Sequence, residues 1–363
     1  MSRIKDILNL MRADHTLAQK VNYLKYLFSK KGEILRYDPV TISIVATTRC
    51  TLSCDMCPTH SSFTPRDYPH TQKNVKDIDF EMFEQIIERF KKATEVHIIG
   101  AGEPLLNKDF FRMADYAAKR KMRVKTFSNG TTVEHNIDKM LNSRLAGITI
   151  SINGHNQEEF RRMTGMDGKI YSKIYAATKK LVLEKKKRKS KIMVKLSFII
   201  DSHNYKYIPD MINLSRGLGV DHAFFCNFLP FPSDNFRANE RMLMARDEVV
   251  NELNAMFGGL PRRIRKKITL PKLLDEKTGK NNCDTHFSQI RFDGDGNVSS
   301  CSMMLLDMTG HGNYRDIGLW NNEFFRGMRK MFIEGGVADI PGPCRVCPAN
   351  KGVTVSEYKP EES

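Results

Sequence analysis

From position 41 onward, short runs rich in β-branched residues alternate with longer stretches whose apolar residues recur every three or four positions. The first pattern suits buried strands and the second suits amphipathic helices lying over them. Strands are predicted at 41–46, 95–100, 123–128, 147–152, 192–200 and 221–229, with helices at 80–93, 108–121, 135–145, 170–187 and 207–217 between them. Such alternation builds a parallel sheet, and six units curl into an open barrel rather than closing an eightfold one. The predicted fold class is α/β, a partial (β/α)6 TIM-like barrel.

A further helical pattern covers 246–257, and the rhythm then changes at the basic stretch Pro261 to Lys267. Beyond it only one hairpin is evident: 289–292, the turn Asp293-Gly-Asp-Gly296, and 297–301. The chain accordingly divides into an amphipathic helical leader at 1–40, a barrel at 41–260 and a small second domain at 261–363. In the leader, Ile4, Ile7, Leu8 and Met11 share one stripe, which is expected to pack on the barrel; lying on a membrane surface is the alternative use of such a helix. The tail after Pro348 is expected to be loosely ordered.

With 363 residues the chain can bury a large core. No run of eighteen apolar residues occurs and no signal-peptide pattern opens the chain, so a soluble cytoplasmic protein is expected. Its eight cysteines then read as metal ligands rather than disulfides. A formal charge of +16 implies attraction to anions: phosphorylated or nucleotide-linked substrates, nucleic acid or an acidic membrane surface. The run Lys185 to Lys191 ends a helical pattern and reads as a solvated helix end, so nucleic acid is not expected as a partner.

The first predicted strand leads into Cys50-Thr-Leu-Ser-Cys54-Asp-Met-Cys57. Three thiolates cannot close a tetrahedral zinc site, whereas a 4Fe-4S cube held by three cysteines keeps one iron open. The second strand ends in Gly100-Ala-Gly102-Glu103-Pro104, where glycine lets backbone approach a ligand and Glu103 offers a carboxylate to a cationic group. Reading this stretch as a dinucleotide-binding GxGxxG fails, because Leu105 holds the last position and Pro104 falls where a helix would begin.

Four more cysteines, Cys283, Cys301, Cys344 and Cys347, are enough to close a site, and their number admits zinc or an iron-sulfur cluster. Pro343-Cys-Arg-Val-Cys347 fits the second half of a zinc deaminase signature, but no histidine is followed by Glu two residues later. Asp293 to Asn297 opens like a calcium loop, yet Val298 and Met304 stand where the turn glycine and bidentate Glu must be. Cys226 is alone on the sixth strand, either a packing residue or a hydrogen-atom donor. His155 and His286 are acid–base candidates by position only.

The cysteine triad and the Gly102-Glu103-Pro104 turn together resemble the radical S-adenosylmethionine (SAM) superfamily, over about residues 41–231. The resemblance implies a 4Fe-4S cluster on Cys50, Cys54 and Cys57 whose open iron is chelated by SAM. It also implies that the Glu103 turn meets the SAM amine. Two positions depart from the usual pattern: Ala101 replaces the first glycine of the second motif, and Met56 stands where many members have an aromatic residue. Ser128, Ser151 and Asn153 fall at strand ends where members contact the SAM ribose and carboxylate, and Arg162 resembles their carboxylate-binding arginine, with Arg161 as its neighbour. The spacing of Cys283, Gly296, Cys301, Cys344 and Cys347 resembles the SPASM and twitch auxiliary domains, the shorter twitch type in particular, which implies a second 4Fe-4S cluster. An external electron donor such as flavodoxin or ferredoxin is then needed. The implied activity is hydrogen abstraction by a 5′-deoxyadenosyl radical, with dehydrogenation of an alcohol on a sugar, aminocyclitol or nucleotide-linked substrate as the leading expectation. Epimerisation with Cys226 as donor and modification of a ribosomal peptide are the alternatives, and a non-enzymatic iron-sulfur or zinc protein is the remaining one.

Overall fold

The structure is a computed structural model that describes residues 3–63, 76–229, 241–275, 281–302, 310–336 and 338–355. Two leader helices, α1 (Arg3–Arg12) and α2 (Leu17–Phe28), precede six parallel strands. These are β1 (Thr41–Thr47), β2 (Glu95–Gly100), β3 (Arg123–Ser128), β4 (Gly147–Ser151), β5 (Met193–Ile200) and β6 (His222–Asn227), each pairing in register with the next. Between them run α3 (Phe80–Arg89), α4 (Phe110–Lys119), α5 (Val133–Asn142), α6 (Gln157–Thr164), α7 (Gly168–Lys187) and α8 (Ile208–Leu218). The fold is the partial α/β barrel that the alternation predicts, with boundaries moved by one to four residues.

Period-two alternation explains which side is which. Ile42, Ile44, Val96, Ile98, Val124, Ile148, Ile150, Val194, Leu196 and Phe198 are buried against helix residues such as Phe83, Ile86, Phe110, Met113, Ile174 and Met211. Each fully buried apolar side chain of this kind contributes roughly 1.5–3 kcal/mol. The intervening positions, Ser43, His97, Lys125, Thr149, Ser197 and His222, turn to the concave face, so the barrel interior is polar.

Pairing brings the C-terminal hairpin into this same sheet. β7 (Ile268–Thr269) adds beyond β6, β8 (Leu273–Leu274) lies outside, and β9 (Gln289–Phe292) runs parallel to β1 with β10 (Val298–Ser299) antiparallel on its far side. The order is β10-β9-β1-β2-β3-β4-β5-β6-β7. The hairpin was expected only as part of a small second domain; its strand instead covers the open edge of β1, which would otherwise expose unpaired backbone groups.

Two expectations are corrected here. The tail after Pro348 is ordered as far as residue 355: Pro348–Lys351 is a helical turn and β11 (Gly352–Val353) pairs with β8, while 356–363 lies outside the described residues. Asn350, 1% exposed, makes this possible by accepting from the backbone N–H groups of Asn282 and Cys283 and donating to the Cys344 carbonyl. In the leader, Ile4, Leu8 and Met11 are exposed rather than packed on the barrel. The leader attaches through other residues: Leu10 is buried, Tyr26 packs on the core, and the buried Gln19 and Asn22 amides donate to carbonyls of Lys91, Arg120, Asp38 and Lys92. No described helix is long and apolar enough to cross a membrane.

Candidate active site

β1 ends at Thr47, and the chain turns directly into the cysteine loop, so Cys50, Cys54 and Cys57 stand at the C-terminal end of the barrel. The loop is held from several sides. Glu103 N–H donates to the Arg49 carbonyl at 2.7 Å, Asp55 N–H donates to the Thr164 carbonyl at 2.9 Å, and Arg49 pairs with Asp77. Gly102 is required here, because a Cβ on it would lie 1.9 Å from the Arg49 carbonyl oxygen.

The three thiols share one environment. Burial pushes the Cys54 pKa up to about 12, helped by the charges of Cys57 and Cys50, and burial also raises Cys50 and Cys57. Asn129, directly after β3, donates from Nδ2 to Cys50 Sγ at 3.4 Å and to Thr51 Oγ1 at 3.0 Å. Asn129, next to the strand-end Ser128, is thus a further candidate for the site, and its place before Gly130 is the signal that the sequence offers for it.

Glu103 is 1% exposed and ties the strand ends together. Its Oε2 accepts from Asn129 N–H at 2.6 Å and its Oε1 from Leu105 N–H at 3.2 Å, with the Ser128 hydroxyl alongside. Burial nevertheless pushes its pKa up to about 7. Pro104, also buried, opens the short turn that follows. Within this turn Gly100, Ala101 and Gly102 are the partly exposed positions, so backbone rather than the Glu103 carboxylate faces outward.

Further round the rim, Ser151 Oγ lies 3.0 Å from Ser197 Oγ, both on the concave face. Asn153 has φ +47 and accepts from Ile199 N–H, an uncommon backbone state of the kind that collects at functional sites. Arg162 is engaged by acids of the chain itself, with Glu159 at 2.8 Å and Asp201 at 3.2 Å, although it is exposed like Arg161. Arg241 joins the same Asp201 at 2.6 Å. His155 packs on Tyr207, and His286 is buried against Phe332 in the C-terminal region.

Below the rim, the concave face holds a cavity of 540 Å³ lined by residues of β2 to β7, among them Glu95, His97, Lys125, Phe127, Lys195 and Phe224. Burial works to raise the Glu95 pKa, but the His97 hydrogen bond at 2.5 Å and the His97 and Lys125 charges outweigh it and bring it to about 2. Stability from this ionised group is therefore present above about pH 4.5 and is lost as pH falls from there toward 2. Glu95→Gln is expected to flatten that part of the acid-unfolding curve, measured by circular dichroism between pH 5 and 2. Lys195 is lowered by burial and by Lys125 and Arg123, and no acid pairs with it among the described residues. Cys226 sits on the same face, its Sγ 3.5 Å from the Phe198 carbonyl and its pKa raised by burial to about 12, so the thiol stays protonated.

The second cysteine set gathers on the C-terminal segments: Cys347 lies in the field of Lys272, whose carbonyl accepts from Asn227 at the end of β6. β9 starts level with the first residue of β1, and Cys283 precedes it; β10 runs back, so Cys301 lies beside that same start. Burial and the charges of Cys301, Cys283 and Cys347 all raise Cys344, which brings the four thiols within one another's field. Among the described residues no three or more His, Cys, Asp or Glu side chains form a site for a single metal ion. Sulfurs around one zinc stand about 3.8 Å apart, whereas thiolates on separate irons of a cube span more, so the two observations are compatible for a cluster. The donor chemistry fits in both places, three thiols with an N–H donor in the loop after β1 and four thiols on the C-terminal segments. None of the eight cysteines is in a disulfide.

A parallel partial barrel with a cysteine triad after its first strand defines a class. Residues 44–214 match the Radical SAM superfamily, so this part of the chain is a radical SAM domain. It is 26% identical over 191 residues to the tungsten-containing aldehyde ferredoxin oxidoreductase cofactor-modifying protein of Pyrococcus furiosus, covering 51% of this chain and 50% of that one. It is 22% identical over 221 residues to the PqqA peptide cyclase of Gluconobacter oxydans, covering 60% and 57%. The chain thus spans little more than half the length of these curated relatives. Among solved structures, Streptococcus suis SuiB bound to S-adenosylmethionine superposes with a TM-score of 0.63 at 13% identity, covering 90% of this chain and 75% of that one, a likeness of fold.

Proposed function

We propose that the protein is a radical SAM enzyme with two iron-sulfur clusters that modifies a group inserted into the barrel from a peptide substrate. The observation that supports this reading is that one chain carries a cysteine triad after β1, four further cysteines on its C-terminal segments and a charged cavity on the concave face. When bound, the cluster at the triad and SAM supply a 5′-deoxyadenosyl radical, with the electron coming from an outside donor such as flavodoxin or ferredoxin.

The chain's own residues do the rest. Cys50, Cys54 and Cys57 hold the open site and Asn129 orients the first of them. Ser151 and Asn153 offer polar groups at the rim to SAM, together with the backbone at 100–102. Phe127 and Phe224, both well exposed in the cavity, make its apolar wall, and Lys195 below them meets an anionic group. Cys283, Cys301, Cys344 and Cys347 hold the closed site, which passes electrons only.

A peptide substrate is favoured over the small alcohol of the leading sequence expectation because the PqqA relative is by name a peptide cyclase. Epimerisation remains a second reading, supported by the protonated Cys226 thiol on the cavity face; Cys226→Ala with full turnover would remove it. The peptide reading is tested by incubating anaerobically reconstituted protein, SAM and dithionite with separate peptide and small-metabolite fractions of cell extract. Loss of two mass units in a peptide, matched by 5′-deoxyadenosine, supports it; product confined to the small-metabolite fraction overturns it. With the substrate so found, Lys195→Gln is expected to raise KM about tenfold and leave kcat within about twofold, since one charge-assisted hydrogen bond is lost.

A further inference from the structure

Arg291 lies in the middle of β9, and register places it opposite Ser43 of β1 on one side and Ser299 of β10 on the other. Its neighbours in sequence, Ile290 and Phe292, are wholly buried on the helix side, so Arg291 points to the concave side, where it is only 2% exposed. Nη1 donates to Ser302 Oγ at 3.1 Å. Nε is buried without an acceptor, and no carboxylate forms an ion pair with this guanidinium among the described residues. Burial lowers its pKa to about 10, which still leaves it charged at neutral pH.

A buried cation with no partner costs several kcal/mol, so the fold implies an anion at this spot. The acidic groups whose field reaches Arg291 are Cys301 first and Asp293 second, and Asp293 is occupied by the N–H groups of its own turn. Ser300, next to Cys301, also has a buried hydroxyl without a partner. One orphaned donor thus belongs to the residue before Cys301, and the other to the arginine that holds the residue after it. By contrast, the other deeply buried arginine of this region, Arg329, is fully satisfied by the carbonyls of His286, Glu33 and Trp320 and by Asn321 Oδ1.

We propose that Arg291 is the counter-cation of the auxiliary cluster, a positioning residue whose charge and Nε–H favour the reduced state of that cluster. A positive charge and an N–H donor next to cluster sulfur both stabilise the added electron, and hydrogen bonds to sulfur and net charge are recognised determinants of cluster potential. The inference rests on the two-cluster reading above.

The test uses full-length protein with Cys50, Cys54 and Cys57 replaced by Ala, reconstituted anaerobically, so that only the auxiliary cluster is titrated by electron paramagnetic resonance. This parent is expected to hold about four irons. Adding Arg291→Met is expected to lower the reduced-to-oxidised ratio at a fixed potential about tenfold, equivalent to about 59 mV for one electron. Arg291→Lys, which keeps a charge but moves the donor, is expected to lower it about threefold, and it carries the test if the Met variant does not fold. Unchanged titration in a variant that holds its iron would overturn the proposal. A parent that binds no iron would instead overturn the two-cluster reading, and the proposal with it.

Discussion

Cys54→Ala is expected to abolish SAM cleavage, with no 5′-deoxyadenosine above the level of protein-free controls, while iron falls from about eight to about four per chain. The selectivity follows from placement. Cys54 shares the field of Cys50 and Cys57 after the C-terminal end of β1, and the four-thiol set stands on separate segments, tied to β9 and the Asn350 contacts. The remaining iron should keep the spectrum of a closed cluster that SAM does not perturb. Iron analysis and chromatography of the SAM reaction check both parts; loss of all iron would mean that the sites are not independent.

Asp201→Asn is expected to lower stability by about 3–5 kcal/mol, measured by urea unfolding. Asp201 follows β5, its side chain is fully buried, and it accepts from Arg162, Arg241 and the N–H groups of His203 and Asn204. Burial works to raise its pKa, and the Arg241 and Arg162 hydrogen bonds outweigh that and lower it. Its contribution is therefore present above the ordinary carboxyl range and is lost as pH falls through the lowered value. Asparagine keeps the shape but leaves two guanidinium groups facing a neutral amide. Because Arg162 and Arg241 converge from different segments, the substitution should also loosen the rim near Asn153. A loss under 1 kcal/mol would show that Glu159 alone holds Arg162.

Much of this was legible in the sequence for a local reason. β1 and the cysteine loop are contiguous, and both the buried run at 41–46 and the CxxxCxxC spacing are short-range signals. Pairing of β9 with β1 was not legible, because residues nearly 250 positions apart must meet and a four-residue strand carries no partner's address. The leader is hard to read for a related reason: Ile4, Leu8 and Met11 form a helical stripe, but the buried positions are Leu10 beside that stripe and Gln19 and Asn22, whose polarity conceals their burial. The cavity could have been read further. Glu95 and His97, Lys125 and Phe127, Lys195 and Ser197, and Phe224 and Cys226 alternate with buried apolar residues, which is the period-two signature of an inward face. Arg162 was singled out by its similarity to a cofactor-binding arginine, and its engagement by Glu159 and Asp201 depends on tertiary placement that no spacing reveals.

The central claim is that one chain holds an open cluster site on Cys50, Cys54 and Cys57 and a closed one on Cys283, Cys301, Cys344 and Cys347. Anaerobic reconstitution of the unmodified chain, with iron, sulfide and 5′-deoxyadenosine measured on the same sample, tests it most directly. The account predicts about eight irons and eight sulfides per chain and dithionite-dependent formation of 5′-deoxyadenosine from SAM. About four irons with no further uptake, or full loading with no 5′-deoxyadenosine, would contradict it.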